Sequence, residues 1–292
     1  MRVAHLILAH QQAPQVARLA RRLLAADEAV FLHLDARIDP SPFLALLDPR
    51  VRFLGRRHAS PWGTYGLVAA ALELMRAALA DRSVDYLSLL SGSDYPLRPL
   101  SALHTHLDAH PGREHFSPIL SMADNPRFQR RYQRFWFGGR RHGISGQLES
   151  LLHRLPWIRT LPDGLVPHCG SQWWTLTRNC AAWLVDRLDR SPELVRFFRH
   201  VMIPDELVFP TLLASSPFTA KITGENLRCI EFPPELRHPR VWRRSDLPRL
   251  LGETAFFARK FDSETDSAVL DLLDAHLDAP GHPHADHPYT PL

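Results

Sequence analysis

Two adjacent carboxylates, Asp205-Glu206, stand where an apolar helical segment (residues 207–213) is about to begin. A carboxylate at such a place could act as a general base that takes the proton of an attacking hydroxyl group. The structural alternative is that Asp205 is the N-cap of the helix and Glu206 a solvated residue of its first turn, because the helix dipole favours acids there. Capping alone would account for one of the two acids.

Two adjacent cations, Arg259-Lys260, lie between apolar residues in the run Phe256-Phe257-Ala258-Arg259-Lys260-Phe261. A cation in such a packed setting needs an anion beside it. Fixed cations also stabilise negative charge where it grows during a reaction. Further arginines precede this run, at positions 237, 240, 243 and 244.

Two more acids follow buried segments. The stretch 86–97 reads Tyr-Leu-Ser-Leu-Leu-Ser-Gly-Ser-Asp-Tyr-Pro-Leu, in which a Ser-Gly-Ser break ends the apolar run just before Asp94. Asp35 follows a shorter apolar run in the same way. Open α/β sheets bind ligands at the carboxyl ends of their strands, so we expect both acids on one rim of a parallel sheet, with Pro96 keeping Asp94 on a fixed turn. The alternative is that Asp94 caps the following helix.

The elements that must position these groups alternate along the chain. Short apolar runs indicate strands, and apolar residues with helical spacing indicate helices. Strands are expected at residues 3–8, 30–34, 51–54, 86–91, 170–177 and 227–232, and helices at 14–26, 67–80, 100–108, 179–190, 193–200, 207–213 and 263–276. This alternation predicts an α/β fold with a central, mostly parallel sheet flanked by helices, a layered nucleotide-binding architecture.

Three tryptophans are placed where they could border a ligand cleft. Trp62 precedes the helix at 67–80, and it either staples that helix to the sheet or turns its flat face to the cleft. Trp173 and Trp174 are adjacent on the strand expected at 170–177. Neighbouring side chains on a strand point to opposite faces, so one tryptophan can be core while the other faces the cleft.

The regular pattern loosens at about residues 120–168, which we interpret as an insertion within a single domain of residues 1–278. Connections this long inside a compact domain are usually functional. Residues 127–137 interleave cations with aromatic residues, which suits stacking on nucleic acid or on sugar rings. The alternative is an ordinary solvated helix with a cationic face. Residues 279–292, rich in Pro and His, are expected to be a flexible tail.

Composition excludes several classes of protein. A hydrophobic content of 45% over 292 residues supports a folded core and excludes disorder for most of the chain. The formal charge of +4 comes from arginines scattered among acids rather than striped, which disfavours nucleic-acid binding and suits a small polyanion such as a nucleotide diphosphate. No segment reaches the length of a membrane span.

The cysteines and the N-terminus indicate the compartment. Cys169, Cys180 and Cys229 are odd in number and show no CxxC spacing, which argues against a disulfide framework and a structural zinc site. The chain runs from Met1-Arg2 directly into an apolar run that ends at His10, without the length or cleavage site of a signal peptide. We therefore expect a cytoplasmic protein.

Several short motifs, in this order, resemble the core-2/I-branching β-1,6-N-acetylglucosaminyltransferase family, to which the peptide O-xylosyltransferases also belong. The resemblance runs from residue 3 to about residue 262, and the order of the motifs carries it. The motifs are His33-Leu34-Asp35, Trp62-Gly63, Ser91-Gly92-Ser93-Asp94-Tyr95-Pro96, Gly170-Ser171-Gln172-Trp173-Trp174, Pro204-Asp205-Glu206 and Phe257-Ala258-Arg259-Lys260-Phe261.

This resemblance implies a GT-A-like fold that transfers a sugar, N-acetylglucosamine or xylose, from a UDP-sugar to an acceptor hydroxyl with inversion. Members of the family work without the metal that most GT-A enzymes hold with an Asp-x-Asp motif. The sequence contains no Asp-x-Asp, so we expect no metal and no cofactor besides the UDP-sugar co-substrate.

The resemblance also assigns roles to residues. Glu206 aligns with the catalytic base, and Lys260 aligns with a lysine that neutralises the UDP diphosphate. The partner arginine is either Arg237 or Arg240: counting back from Asp246-Leu247 favours Arg237, and the His-Pro-Arg surroundings favour Arg240. The donor pocket is expected to be lined by His10 and Asp35 near the uridine and by Trp62 and Asp94 near the sugar. The acceptor side is expected to hold Asp205 and either Trp173 or Trp174. The insertion at 120–168 is also expected there, but on the evidence of its own length and residues and not of the resemblance.

The sequence departs from the eukaryotic branching enzymes, which carry a membrane anchor and several disulfides. It resembles the compact bacterial members, whose acceptors the resemblance does not specify. A polysaccharide intermediate, a lipid-linked glycan or a small molecule would each fit, and peripheral contact with a membrane stays open. The alternative function is a non-catalytic nucleotide-sugar or carbohydrate-binding protein, which would need neither Glu206 nor Lys260.

Overall fold

The computed structural model describes residues 1–123, 126–138, 144–236 and 238–279. Its strands are β1 (Val3–Ala9), β2 (Ala29–Leu34), β3 (Arg52–Phe53), β4 (Tyr86–Ser91), β5 (Asp94–Pro96), β6 (Leu120–Ser121), β7 (His168–Cys169), β8 (Thr175–Thr177), β9 (Arg228–Ile230) and β10 (Phe257–Arg259). Its α-helices are α1 (Ala13–Leu24), α2 (Ser41–Leu44), α3 (Gly66–Leu79), α4 (Leu100–Ala109), α5 (Pro126–Gln133), α6 (Ile144–Arg154), α7 (Arg178–Asp189), α8 (Pro192–Phe198), α9 (Val208–Ala214), α10 (Leu247–Gly252), α11 (Ser263–Asp266) and α12 (Ala268–Leu277).

The central sheet has the strand order β3-β2-β1-β4-β8. Strands β3, β2, β1 and β4 run parallel, and β8 pairs antiparallel with β4. From β1 the chain builds outward to β2 and β3 on one side and then returns to place β4 on the other. The predicted α/β class, a mostly parallel sheet flanked by helices, is confirmed.

Strand β1 is buried on both faces, as expected for a central parallel strand whose side chains alternate between faces. Leu6 and Leu8 belong to the core that includes α3 and α7, whereas Val3 and Ile7 belong to the core that includes α1 and α12. The sheet is therefore the middle layer of three. This arrangement leaves the ends of the strands, and not the faces of the sheet, for a binding site.

A small second sheet, ordered β5-β10-β9, follows the carboxyl end of β4. Strand β5 pairs antiparallel with β10, with Asp94 opposite Arg259. The expectation that Pro96 keeps Asp94 on a turn is wrong: both residues lie on β5, an edge strand, and edge strands tolerate proline. Asp94 does not cap the next helix either, since Pro99 occupies the N-cap of α4.

Other boundaries also differ from the prediction. The strand expected at 170–177 forms only from Thr175, because backbone N–H groups ahead of it bond elsewhere: that of Gly170 donates to the carbonyl of Glu206. The helix expected at 263–276 is divided into α11 and α12. The expected tail, apart from Ala279, lies outside the described residues. Within the described ranges, none of the helices combines the length and apolar character that crossing a membrane requires.

Candidate active site

The carboxyl ends of β1, β2 and β4 lie in register at one edge of the central sheet. His10 follows β1, Asp35 follows β2, and Asp94 lies three residues beyond the end of β4. The prediction that Asp35 and Asp94 share one rim is confirmed. Because the strand order changes direction at β1, this edge is the position where open α/β sheets bind ligands.

Asp35 is fully buried and holds two loops at this rim. Its Oδ1 accepts from the backbone N (2.9 Å) and Nε (3.0 Å) of Arg37, and its Oδ2 accepts from Nη2 of Arg37 (2.7 Å) and from Oγ of Ser60 (3.0 Å). Burial favours a raised pKa, but these hydrogen bonds outweigh it and hold the pKa of Asp35 well below its ordinary value. The carboxylate is thus a permanent anion that orients Arg37 and Ser60.

His10 lies where several charges meet. Partial burial of the ring lowers the pKa of His10, the carboxylate of Asp35 opposes this, and the charges of Lys260, Arg259 and Arg37 lower it further. The imidazole is neutral in such surroundings. Arg37 and Arg259 are paired with Asp35 and Asp94, so Lys260 is the cation of this group that has no carboxylate partner among the described residues.

Arg259 is enclosed between a carboxylate and an aromatic ring. Its Nη1 donates to Oδ1 of Asp94 at 3.0 Å, and its guanidinium carbon lies 4.4 Å from the ring centre of Trp173. Burial raises the pKa of Asp94, and the charge of Arg259 opposes that rise. The expectation that a cation in this run has an anionic partner is confirmed for Arg259. Asp94 is wholly buried beneath it, and its expected place near the donor sugar stays a prediction.

Lys260 differs from its neighbour. No carboxylate of the described residues pairs with its ammonium group, and its side chain is only partly buried. Its backbone N–H donates to the carbonyl of Arg240 (3.2 Å), and its carbonyl accepts from the N–H of Trp242 (2.9 Å). An ammonium group on a fixed backbone, without a carboxylate partner among the described residues, is available for a charge-assisted hydrogen bond to an anion.

The structure describes only one of the two arginines that are candidates for the diphosphate site. The backbone of Arg240 lies beside Lys260, but its guanidinium donates to Glu231 Oε2 at 2.6 Å and lies 3.8 Å from Oδ1 of Asp246. These carboxylates neutralise its charge in this conformation. Arg237 lies outside the described residues.

The two adjacent tryptophans have separate environments. Trp174 is fully buried in the core and lies edge-on to Phe209, with ring centres 5.8 Å apart. Trp174 is therefore the core member of the pair, which leaves Trp173 as the candidate for the acceptor side. The ring of Trp173 covers the guanidinium of Arg259. The two tryptophans lie just ahead of β8 rather than on it.

Trp62 is 76% exposed, so the prediction that it staples α3 to the sheet is wrong. The next residue, Gly63, has a φ of 75°, in the left-handed region that glycine favours. The carbonyl of Gly63 accepts from the N–H of Ile203 at 3.2 Å. This contact joins the exposed tryptophan to the turn that carries Asp205 and Glu206, and leaves its face free for a sugar ring.

Glu206 ends a 3₁₀ turn, Pro204–Glu206, that precedes α9. Its Oε2 accepts from Nη2 of Arg131 at 2.9 Å, and its side chain is 43% exposed. No hydrogen bond from the described residues reaches Oε1. The carboxylate is therefore held by one oxygen and open at the other.

Asp205 is 5% exposed, and its Oδ1 has no hydrogen-bond partner among the described residues. Burial, together with repulsion from the charge of Glu206, raises the pKa of Asp205 to about 7. The interpretation of Asp205 as an N-cap is wrong, because α9 begins after Leu207 and has no side-chain cap. It is a buried second carboxyl beside the exposed one.

The aromatic residues of the insertion are largely used internally. Arg159 lies between the rings of Phe135 (4.5 Å) and Phe197 (4.2 Å), and its Nη2 donates to the carbonyl of Phe197 (2.6 Å). Burial lowers the pKa of Arg159 to about 10. The predicted open stacking platform is therefore partly closed, and the insertion instead reaches the site through Arg131.

Sequence reasoning missed two residues and one pairing in this site. Arg37, Arg131 and the role of Arg259 as the partner of Asp94 emerge only from the structure. For Arg37, the spacing of two residues after Asp35 was an available signal, since such pairs close local turns. Within the described ranges, no group of three or more His, Cys, Asp or Glu side chains could hold a metal ion.

Comparisons with known proteins agree with one another. The model of the family described as Core-2/I-Branching enzyme matches residues 3–254. Xylosyltransferase 2 of Mus musculus is 28% identical over 304 residues, which cover 95% of this chain and 34% of the mouse protein. Xylosyltransferase oxt of Drosophila melanogaster is 27% identical over 96% of this chain and 34% of its own length. The chain thus spans about a third of the curated relatives it matches.

Among solved structures, mouse xyloside xylosyltransferase 1 in its apo form resembles this chain at 12% identity. The match covers 88% of this chain and 97% of that one, with a TM-score of 0.39. At that score the likeness in shape is weak, and the family match stands on sequence.

Proposed function

The chain belongs to the Core-2/I-Branching enzyme family, and we propose that it is a glycosyltransferase that moves a sugar from a UDP-sugar to an acceptor hydroxyl with inversion. The observation that carries the proposal is the state of Glu206. One carboxylate oxygen is fixed by Arg131, the other has no hydrogen bond from the described residues, and the side chain reaches solvent. This is the geometry that a general base requires.

In the proposed reaction the acceptor oxygen attacks the anomeric carbon from the face opposite the diphosphate. The new carbon–oxygen bond forms as the bond to the β-phosphate oxygen breaks, and UDP leaves with that electron pair. Glu206 takes the hydroxyl proton. A base in this role contributes about 10²- to 10⁴-fold.

The departing UDP gains negative charge, which Lys260 is proposed to neutralise with Arg237 or Arg240. Support comes from the absence of a carboxylate partner for Lys260 among the described residues, and from the cations around His10. Arg240 is joined to Lys260 through the backbone, but Glu231 competes for its guanidinium. Side-chain cations would then stabilise the charge of the leaving diphosphate, as a divalent metal does in most GT-A enzymes.

Xylose is the first donor sugar to test, because the matched relatives are named xylosyltransferases. N-Acetylglucosamine is the second, as the family's other known sugar. The exposed face of Trp62 is proposed to contact the sugar, and Trp173 is proposed to line the acceptor side over Arg259.

A thermal-shift screen of UDP-xylose, UDP-N-acetylglucosamine and UDP, with and without EDTA, tests the donor. A ligand of the folded state raises apparent stability by mass action, so we expect a UDP-dependent shift that EDTA leaves unchanged. A shift that disappears with EDTA would overturn metal independence. No shift with any uridine nucleotide would overturn the donor assignment.

The variant Glu206→Gln tests the base. We expect it to bind UDP as the native chain does and to lose transfer, measured as UDP release with an acceptor panel, by about 10²- to 10⁴-fold. Glu264→Gln, at an exposed carboxylate of α11, is the matched control and should leave transfer unchanged. Uridine nucleotide binding without any turnover in the native chain would favour a non-catalytic binding protein instead.

A further inference from the structure

Large apolar side chains are exposed in unusual density on the insertion. Of the fourteen exposed large apolar residues within the described ranges, six lie between residues 120 and 168. The most exposed are Trp157 (63%), Ile158 (62%), and Leu120 and Leu151 (58% each). Scattered exposed apolar residues are ordinary, but a group of them in one segment marks an interaction surface.

These side chains project from a fixed backbone. Leu148 and Leu151 are three residues apart on α6 and so share one face of that helix. The chain that follows is anchored to the end of α5, because Arg134 Nη1 donates to the carbonyl of Trp157 at 3.0 Å. From Leu148 to Ile158 the backbone spans at most about 25 Å, from helical and extended rises. We name Leu148, Leu151, Trp157 and Ile158 the apolar patch.

The positive charge of the chain is concentrated in the same segment. Residues 120–168 contain eight arginines and three acidic residues, a formal charge of +5, whereas the whole chain carries +4. The rest of the chain is therefore close to neutral, at −1. Arg130 and Arg154 are exposed, and no carboxylate of the described residues pairs with either guanidinium. Arg154 lies between Leu151 and Trp157 in the sequence, and Arg130 lies four residues before Arg134, whose guanidinium holds the carbonyl of Trp157.

We propose that the apolar patch, flanked by Arg130 and Arg154, docks on the surface of an anionic phospholipid membrane. Peripheral membrane sites combine tryptophan and aliphatic side chains that enter the headgroup region with cations that pair with lipid phosphates. A second copy of the chain fits less well, because joining two patches would bring two segments of +5 together. The proposal stands independently of the reaction.

Docking through the apolar patch would place the membrane next to the acceptor side of the site. Helix α5 lies in the same insertion and supplies Arg131, which holds Glu206. A membrane bound at the apolar patch would therefore adjoin the segment that positions the candidate base. An acceptor carried by a lipid is the substrate class that such a location would serve.

Co-sedimentation of the full chain with vesicles tests the proposal. We expect binding to phosphatidylcholine vesicles that contain phosphatidylglycerol, weaker binding to phosphatidylcholine alone, and a loss of binding as salt is raised. Trp157→Ser with Ile158→Ser should lower the partition coefficient roughly tenfold or more. Arg130→Glu with Arg154→Glu should lower binding to the anionic vesicles only.

Two controls keep the test specific. Phe232→Ser removes a 67% exposed aromatic residue outside the insertion and should leave vesicle binding unchanged. The melting temperature without ligand should be the same in all variants, which shows that they fold. Equal vesicle binding by the native chain and the double serine variant would overturn the proposal. So would the absence of vesicle binding combined with a dimer that the serine variant dissociates, which would assign the patch to a second copy.

Discussion

Arg131 donates a hydrogen bond from Nη2 to Oε2 of Glu206 at 2.9 Å, across 75 residues of sequence. The same guanidinium donates to the carbonyls of Met202 (3.3 Å) and Ile203 (3.1 Å), and its side chain is only 13% exposed. One buried arginine therefore fixes both the carboxylate and the backbone of the turn that carries it. The insertion and the candidate base form one unit.

Replacing this arginine should separate positioning from donor binding. We expect Arg131→Ala to lower kcat for transfer roughly 10- to 100-fold, because a base displaced by about an ångström loses that much. Affinity for UDP should not change, since the arginine does not lie among the cations around His10. Arg131→Lys should not restore activity, because a single ammonium group cannot replace the planar fork of donors. Arg130→Ala, at the exposed neighbour, is the control, and an equal loss there would refute the assignment.

Lys260 can be tested against a natural control, because the sequence contains only one other lysine, Lys221. A charge-assisted hydrogen bond contributes about 1.5–3 kcal/mol, so Lys260→Ala should weaken UDP binding roughly 10- to 100-fold. Lys221 is exposed, with its ammonium group 5.7 Å from the ring centre of Phe218. Lys221→Ala should leave the Kd for UDP unchanged. Isothermal titration calorimetry measures both, and the same Kd in the two variants would remove Lys260 from the diphosphate site.

The raised pKa of Asp205, about 7, makes the stability of the protein depend on pH. Between about pH 4 and pH 7 the folded chain keeps this proton while the unfolded chain has lost it, so the free energy of unfolding falls as pH rises. The Asp205→Asn variant has no carboxyl group to ionise at this position, so its free energy of unfolding should not fall in this way as pH rises. Measured by urea denaturation, the variant should gain roughly 4 kcal/mol over the native chain between about pH 4 and pH 8. A difference that stays constant with pH would show that Asp205 titrates normally.

We expect the ion pair Asp94–Arg259 to have a larger coupling free energy than an exposed ion pair, because only part of the Arg259 side chain reaches the surface. Breaking a fully buried pair costs about 3–5 kcal/mol, and since 19% of the Arg259 side chain is exposed we expect roughly 1–3 kcal/mol. A double-mutant cycle with Asp94→Asn and Arg259→Gln measures the coupling. The exposed pair Asp186–Arg190 at the C-terminal end of α7 provides the comparison, with about 0.5 kcal/mol or less expected. Additive effects at Asp94 and Arg259 would mean that the two residues act separately.

Much of the fold could be predicted because it depends on local pattern. Buried runs such as those of β1, β2 and β4 have few polar residues, and their order along the chain is enough to indicate a parallel sheet. Where the run of residues in a strand is short, the prediction was wrong. Residues 94–96 form β5 although the segment contains a proline, and Trp174 lies ahead of the strand on which it was expected. In both cases a neighbouring segment that is distant in sequence sets the backbone.

The sequence by itself determined where the reactive groups lie along the chain: Asp35 and Asp94 beyond strand ends, and Glu206 ahead of a helix. It could do so because apolar periodicity and turn residues report the environment of each segment. Only the tertiary structure decided which charges meet. The pairs Arg131–Glu206 and Arg259–Asp94 join residues 75 and 165 positions apart, and the burial of Asp205 depends on what packs over it. Such contacts arise from packing between segments, which no local pattern encodes.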